Sequence, residues 1–108
     1  MSSDKIKFAI VGAGHIGKRH AEMVSRNKES ELIAFCDVKS QDELNTAQYN
    51  VPLYSTMEEL LEKHPEIDVI NICTPNGLHS DQAIIAIEKN KHVVVEKPIG
   101  LSKNKDYI

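Results

Sequence analysis

The sequence predicts a doubly wound α/β fold, a parallel sheet covered by helices on both faces. Three observations predict it. The apolar run at residues 5–11 feeds directly into Gly12-Ala13-Gly14-His15-Ile16-Gly17, a G-x-G-x-x-G segment that opens a helical pattern. An acid, Asp37, stands twenty residues past Gly17 at the end of a second apolar run. Short apolar runs and amphipathic stretches then alternate along the chain, the pattern of right-handed crossovers between parallel strands.

Each element has a local reason. Residues 5–11 have almost no polar interruption, as a strand buried on both faces requires. A helix is expected from about Ile16 to Arg26, with Ile16, His20, Met23 and Val24 on one stripe. Leu32–Cys36 makes the second strand, and the polar stretch Lys39–Gln48 has room for a short helix. Val51–Tyr54 is a weak third strand whose Pro52 suits an edge. Ser55 with Glu58, or Thr56 with Glu59, forms a capping box for the next helix. Met57, Leu60, Leu61 and His64 share its face, and Pro65 ends it.

Asp68–Cys73 is the fourth strand, followed by a turn at Thr74-Pro75-Asn76-Gly77. A helix from about His79 to Asn90 is expected to bury Ala83, Ile84 and Ile87. His92–Val95, with three consecutive valines, is the fifth strand, and residues 101–108 read as a loop and the first turn of another helix. The whole is expected to be a Rossmann-like sheet, with order 3-2-1-4-5 by analogy with doubly wound folds, truncated before a sixth strand, in one domain spanning residues 1–108.

Composition narrows the function classes. A chain of 108 residues with 41% hydrophobic and 27% charged residues is an ordinary globular domain. Its net charge of −3 gives no basic footprint, so no nucleic-acid partner is expected. No apolar run approaches the ~20 residues of a membrane span, and Met1-Ser2-Ser3-Asp4 has no signal core. Cys36 and Cys73 show no C-x-x-C spacing, which fits a reduced, cytoplasmic compartment. No metal site is expected, because the histidines include no i, i+4 pair.

The glycine segment has a specific job if it holds a dinucleotide. Gly12 permits a tight turn, Gly14 lets backbone approach a pyrophosphate, and Gly17 lets the helix lie close to the strand. The amides at His15, Ile16 and Gly17 then lie at a helix N-terminus, which favours an anion. The alternative is a strand-to-helix turn with no ligand; the strand before it and the acid after it favour the cofactor. Asp37 would accept a ribose 2′-hydroxyl and repel a 2′-phosphate, favouring NAD. Lys39 can offset that repulsion, so NADP stays open, as does a plain turn role for Asp37.

Two further clusters fall at the same carboxyl edge. Cys73, Thr74, Pro75 and Asn76 follow the fourth strand, where the nicotinamide half would pass, and Thr74 and Asn76 can bond its ribose or carboxamide. His79 either faces the cofactor or caps the helix. Glu96-Lys97-Pro98 follows the fifth strand, and a charged pair there is solvated, paired or used. The Lys97 ammonium can bond a hydroxyl under oxidation and stabilise an alkoxide as hydride leaves. An exposed surface ion pair is the competing reading.

Together the clusters resemble the N-terminal, nucleotide-binding part of the glucose–fructose oxidoreductase and inositol dehydrogenase family (Gfo/Idh/MocA). The resemblance rests on Gly12 to Gly17 with His20, Cys36-Asp37, Cys73 to Asn76 with His79, and above all Glu96-Lys97-Pro98. It implies an oxidoreductase using NAD or NADP on a secondary hydroxyl of a sugar, cyclitol or sugar nucleotide. It implies catalytic contact between Lys97 and the substrate hydroxyl. It also implies a nicotinamide pocket lined by Glu96 and the Thr74-Pro75-Asn76 loop. A non-enzymatic NAD-sensing module is the alternative function, needing the same cleft but no reactive lysine.

The family carries a second domain that supplies most substrate contacts. The chain is therefore expected to be a fragment that binds NAD with little or no turnover alone. The fifth strand is expected to form an open apolar edge, and a homodimer or larger assembly is expected through this edge or through the surface that the second domain would cover. No disulfide between Cys36 and Cys73 is expected, because the first strand lies between theirs.

Overall fold

The computed structural model describes residues 5–74 and 79–95, with only the backbone described at 79 and 80. Strands β1 (Ile6–Val11), β2 (Ser30–Cys36), β3 (Leu53–Tyr54), β4 (Val69–Ile72) and β5 (His92–Val95) alternate with helices. The helices are α1 (His15–Arg26), α2 (Gln41–Leu44), α3 (Met57–Lys63) and α4 (His79–Glu88), with a 3-10 turn at Ala47–Tyr49. The strands form one sheet of order β3-β2-β1-β4-β5. All four pairings are parallel. The predicted doubly wound topology is the observed one.

Two apolar layers enclose the sheet. On one face Ala9, Val11, Ala34, Cys36, Ile70 and Ile72 pack under Met57, Leu60 and Leu61 of α3 and Ala86 of α4. On the other, Ile10 and Phe35 pack under Ala21 of α1 and Leu44 of α2. Alternate residues of one strand thus serve opposite faces, the period-2 rule of a buried strand. Tyr49 closes the second layer with its ring edge-on to Phe35, the centroids 5.5 Å apart.

Several element details differ from expectation. The buried stripe of α1 is Gly17, Ala21 and Val24, while Met23 is 65% exposed. The close seat of Gly17 against the β1 turn fixes the rotation of α1 and turns Met23 outward. Of the two caps expected for α3, Thr56 is the one in place: its Oγ1 accepts the N–H of Glu59 at 3.1 Å. α4 buries Ala86 rather than Ile84 and Ile87, which are 52% and 61% exposed. Ala83 and Ile85 pack partly buried against the same core as Ala86, which turns Ile84 and Ile87 outward. β3 is only two residues long and begins after Pro52, at the edge its proline suggested. The expected helix within residues 101–108 lies outside the described residues.

Candidate functional site

The end of β1 turns sharply at Gly12, whose φ of +92° suits glycine. Its N–H donates to the Cys36 carbonyl at 2.7 Å, holding the turn against the end of β2. A Cβ on Gly12 would also meet Cγ2 of Thr74 at 2.8 Å and the Thr74 nitrogen at 2.9 Å. A Cβ on Gly17 would overlap the Gly12 carbonyl oxygen, so α1 begins against the turn itself. Around Gly14 a Cβ would meet nothing within 4 Å. The three glycines therefore differ: two are enforced by packing inside the protein, and one faces open space.

α1 starts without help from side chains. Gly14 is its N-cap, no side chain caps it, and its first turn holds no acid. His15 is exposed and Ile16 half-buried. The first-turn amides and the partial positive charge of the helix thus meet the open space at Gly14, the arrangement that receives a phosphate.

Asp37 stands at the tip of β2. Its Oδ2 accepts the N–H of Ala13 at 2.8 Å, and its Oδ1 accepts the N–H of Lys39 at 3.0 Å. A carboxylate has about four acceptor positions, so each oxygen keeps capacity for a ligand hydroxyl. The N–H of Asp37 donates to the Tyr54 carbonyl at 2.9 Å, which anchors the tip to β3.

On the other side of β1, Cys73 and Thr74 follow β4. The Cys73 N–H donates to the Val11 carbonyl at 2.8 Å. The Thr74 hydroxyl donates to Oε1 of Gln82 on α4. Between the two sides runs a cleft of about 390 Å³ lined by Gly12, Gly14, Asp37, Cys73, Thr74 and Gln82. Gln82 was not among the residues the sequence pointed to. It lies three residues after His79, one helical turn on, and that spacing is the signal available for it.

The described residues therefore bring Gly12, Gly14, His15, Ile16, Gly17, Asp37, Cys73 and Thr74 to one edge of the sheet. Pro75, Asn76, Glu96 and Lys97 lie outside the described residues, as does the side chain of His79. His20 bonds elsewhere: its Nδ1 lies 3.0 Å from Nδ2 of the buried Asn71. That pair lines a separate depression of about 370 Å³ with Phe8, Met23 and Val94. Having neither glycine turn nor acid tip, it lacks the chemistry of a dinucleotide site.

Cys36 lies beneath the cleft. Burial pushes its thiol up to about 12, with the charges of Asp37, Glu58 and Glu59 adding to the shift. A thiol so disposed is a poor nucleophile and packs as an apolar residue. Cys36 and Cys73 form no disulfide with one another. Among the described residues no group of three His, Cys, Asp or Glu is placed to hold a metal ion. No helix among them is long and apolar enough to cross a membrane.

A parallel sheet with a glycine turn and an acid tip at its carboxyl edge defines a dinucleotide-binding domain. Residues 6–105 match the family described as "Oxidoreductase family, NAD-binding Rossmann fold" (Gfo/Idh/MocA), and the chain belongs to it. It is 34% identical over 106 residues to D-glucoside 3-dehydrogenase of Escherichia coli (strain K12), covering 94% of this chain and 30% of that enzyme. Among solved structures it resembles myo-inositol 2-dehydrogenase of Lactobacillus plantarum, with TM-score 0.77 and 31% identity over 93% of this chain and 30% of that one. It also resembles GenD2 of gentamicin A biosynthesis in complex with NAD, with TM-score 0.81 and 25% identity over 94% of this chain and 29% of that one. The chain thus spans about three-tenths of the length of the relatives it matches.

Proposed function

We propose that this domain is the nucleotide-binding part of a cytoplasmic oxidoreductase that uses NAD on a secondary hydroxyl of a sugar, cyclitol or sugar nucleotide. The observation that carries the reading is the tie between Asp37 and Ala13, which fixes the acid on one side of a cleft that opens at Gly14. Names of relatives support the substrate class: a glucoside dehydrogenase and inositol dehydrogenases.

The chain's own residues divide the work. The amides after Gly14 bind the diphosphate, and Asp37 accepts the adenosine ribose hydroxyls while its charge disfavours a 2′-phosphate. On the family resemblance, Cys73, Thr74, Pro75, Asn76, His79 and Glu96 are assigned to binding the nicotinamide half. NAD held there would supply the acceptor or donor of the hydride. Lys97 holds the substrate hydroxyl; as the neutral amine it takes up the hydroxyl proton in oxidation, and as the ammonium it returns that proton in reduction. By itself the domain binds the dinucleotide and turns over little or no hydroxyl substrate.

Titration of the protein with NAD and NADP tests the reading. Saturable NAD binding, tighter than NADP, is expected. Absence of saturable binding to either dinucleotide would overturn it, and brisk sugar or inositol oxidation by the 108-residue chain would overturn only the inactivity of the domain by itself.

A further inference from the structure

We propose that Gln82 is a dinucleotide-binding residue, with its carboxamide N–H groups donating to an oxygen in the ribose–phosphate stretch that leads to nicotinamide. This rests on the reading that the cleft holds NAD. A carboxamide has one acceptor oxygen and two N–H donors. The Thr74 hydroxyl donates to that oxygen, which fixes the orientation of the amide and leaves its donors uncommitted by this bond. Gln82 is half-buried and lines the same cleft as Gly14 and Asp37.

Thr74 is itself held, because its methyl and backbone lie against the Gly12 turn. The chain Gly12–Thr74–Gln82 thus ties α4 to the loop whose amides receive the diphosphate. Sheet order supplies the direction. Asp37 follows β2, the glycine turn follows β1, and Thr74 follows β4. A dinucleotide with its adenosine ribose at Asp37 and its diphosphate at the turn extends toward β4, where Gln82 stands. That stretch of the ligand is rich in acceptor oxygens and anionic, so a neutral donor suits it and a glutamate would not.

The test is titration of wild type, Gln82→Ala, Gln82→Glu and Thr74→Val with NAD, ADP-ribose and AMP, alongside NMR of the wild-type Gln82 side-chain N–H signals. The Gln82 signals are expected to shift with NAD and ADP-ribose but not with AMP, which carries only the adenosine half. Gln82→Ala is expected to weaken NAD and ADP-ribose by about 3- to 10-fold, the size of one hydrogen bond, and Gln82→Glu by more. AMP binding and the melting temperature stay close to wild type. Thr74→Val keeps the methyl contact and removes the hydroxyl; it gives a smaller loss that does not add to that of Gln82→Ala. Equal weakening of all three ligands, or unchanged NAD affinity in Gln82→Ala, would overturn the proposal while wild-type NAD binding kept the wider reading intact. Failure of the wild type to bind any of them would overturn both.

Discussion

The carboxylate of Asp37 and the backbone N–H of Ala13 meet at 2.8 Å, joining the tip of β2 to the middle of the glycine turn. Twenty-four residues separate them in sequence, yet the parallel pairing Val11↔Cys36 brings the two strand ends side by side. The acid is thereby oriented before a ligand arrives. Its two backbone bonds restrict the side chain, so less entropy is lost when a ribose hydroxyl is added.

That relationship makes Asp37 a determinant of cofactor choice. Asp37→Asn removes the charge and retains the size. Hydrogen bonds to charged groups contribute about 1.5–3 kcal/mol, so NAD affinity should fall by roughly 10- to 100-fold. NADP affinity should stay level or rise, since the repulsion toward a 2′-phosphate is gone. Parallel titrations of the two dinucleotides check this, and an unchanged NAD-to-NADP ratio would contradict it.

Gly14 and Gly17 should separate binding from folding. Gly17→Ala drives a Cβ into the Gly12 carbonyl. Overpacking of this kind costs about 1–3 kcal/mol, and in a domain of this size each kcal/mol lowers Tm by about 4–8 °C. Gly14→Ala meets open space at a φ of −76°, which alanine tolerates. It should leave Tm nearly unchanged while obstructing the approach of a diphosphate. Melting curves and NAD titrations of both variants give the answer, and a stable, NAD-binding Gly17→Ala protein would contradict the packing argument.

Much of this arrangement was legible in the sequence because it depends on local, directional signals. A buried run before a glycine turn, an acid at a second strand tip and a proline before β3 each act over a few residues, and analogy with doubly wound folds then supplied the sheet order that is observed. Helix rotation was less legible, because it depends on close contact rather than hydrophobicity. Ile84 and Ile87 are bulkier than Ala86, yet Ala86 faces the sheet. Met23 lost its inward place because Gly17 permits a closer approach than any side chain on α1. Gln82 was hidden for a related reason: its link to Thr74 exists only after α4 has docked.

The Cys36 thiol should give the fold a measurable weakness in alkali. Its pKa rises from an ordinary 9.0 to about 12 on folding. Below pH 9 both states hold the proton, and the full stability is present. As pH rises from about 9 toward 12 the unfolded thiol ionises while the folded one does not, so stability falls. One such group contributes a slope of at most about 1.4 kcal/mol per pH unit. Urea unfolding at pH 8, 9.5 and 10.5 should show a shallower decline in Cys36→Ala than in wild type. Identical declines would mean that the thiol titrates alike in both states.

The sheet edge at β5 should carry self-association, which we propose on the strength of its exposure. β5 pairs with β4 on one side, and among the described residues no strand covers the other. Val94 and Val95 are 43% and 41% exposed, on opposite faces of an apolar strand. An edge with unpaired backbone groups and valine side chains is a template for a second chain, and lysine is a residue that native edges use to block such pairing. Wild type should therefore sediment as a dimer or larger species at high concentration. Val95→Lys should shift that equilibrium toward monomer. A wild type that sediments as a monomer across the concentration range, or a Val95→Lys variant that self-associates as strongly, would show that this edge is not the surface used.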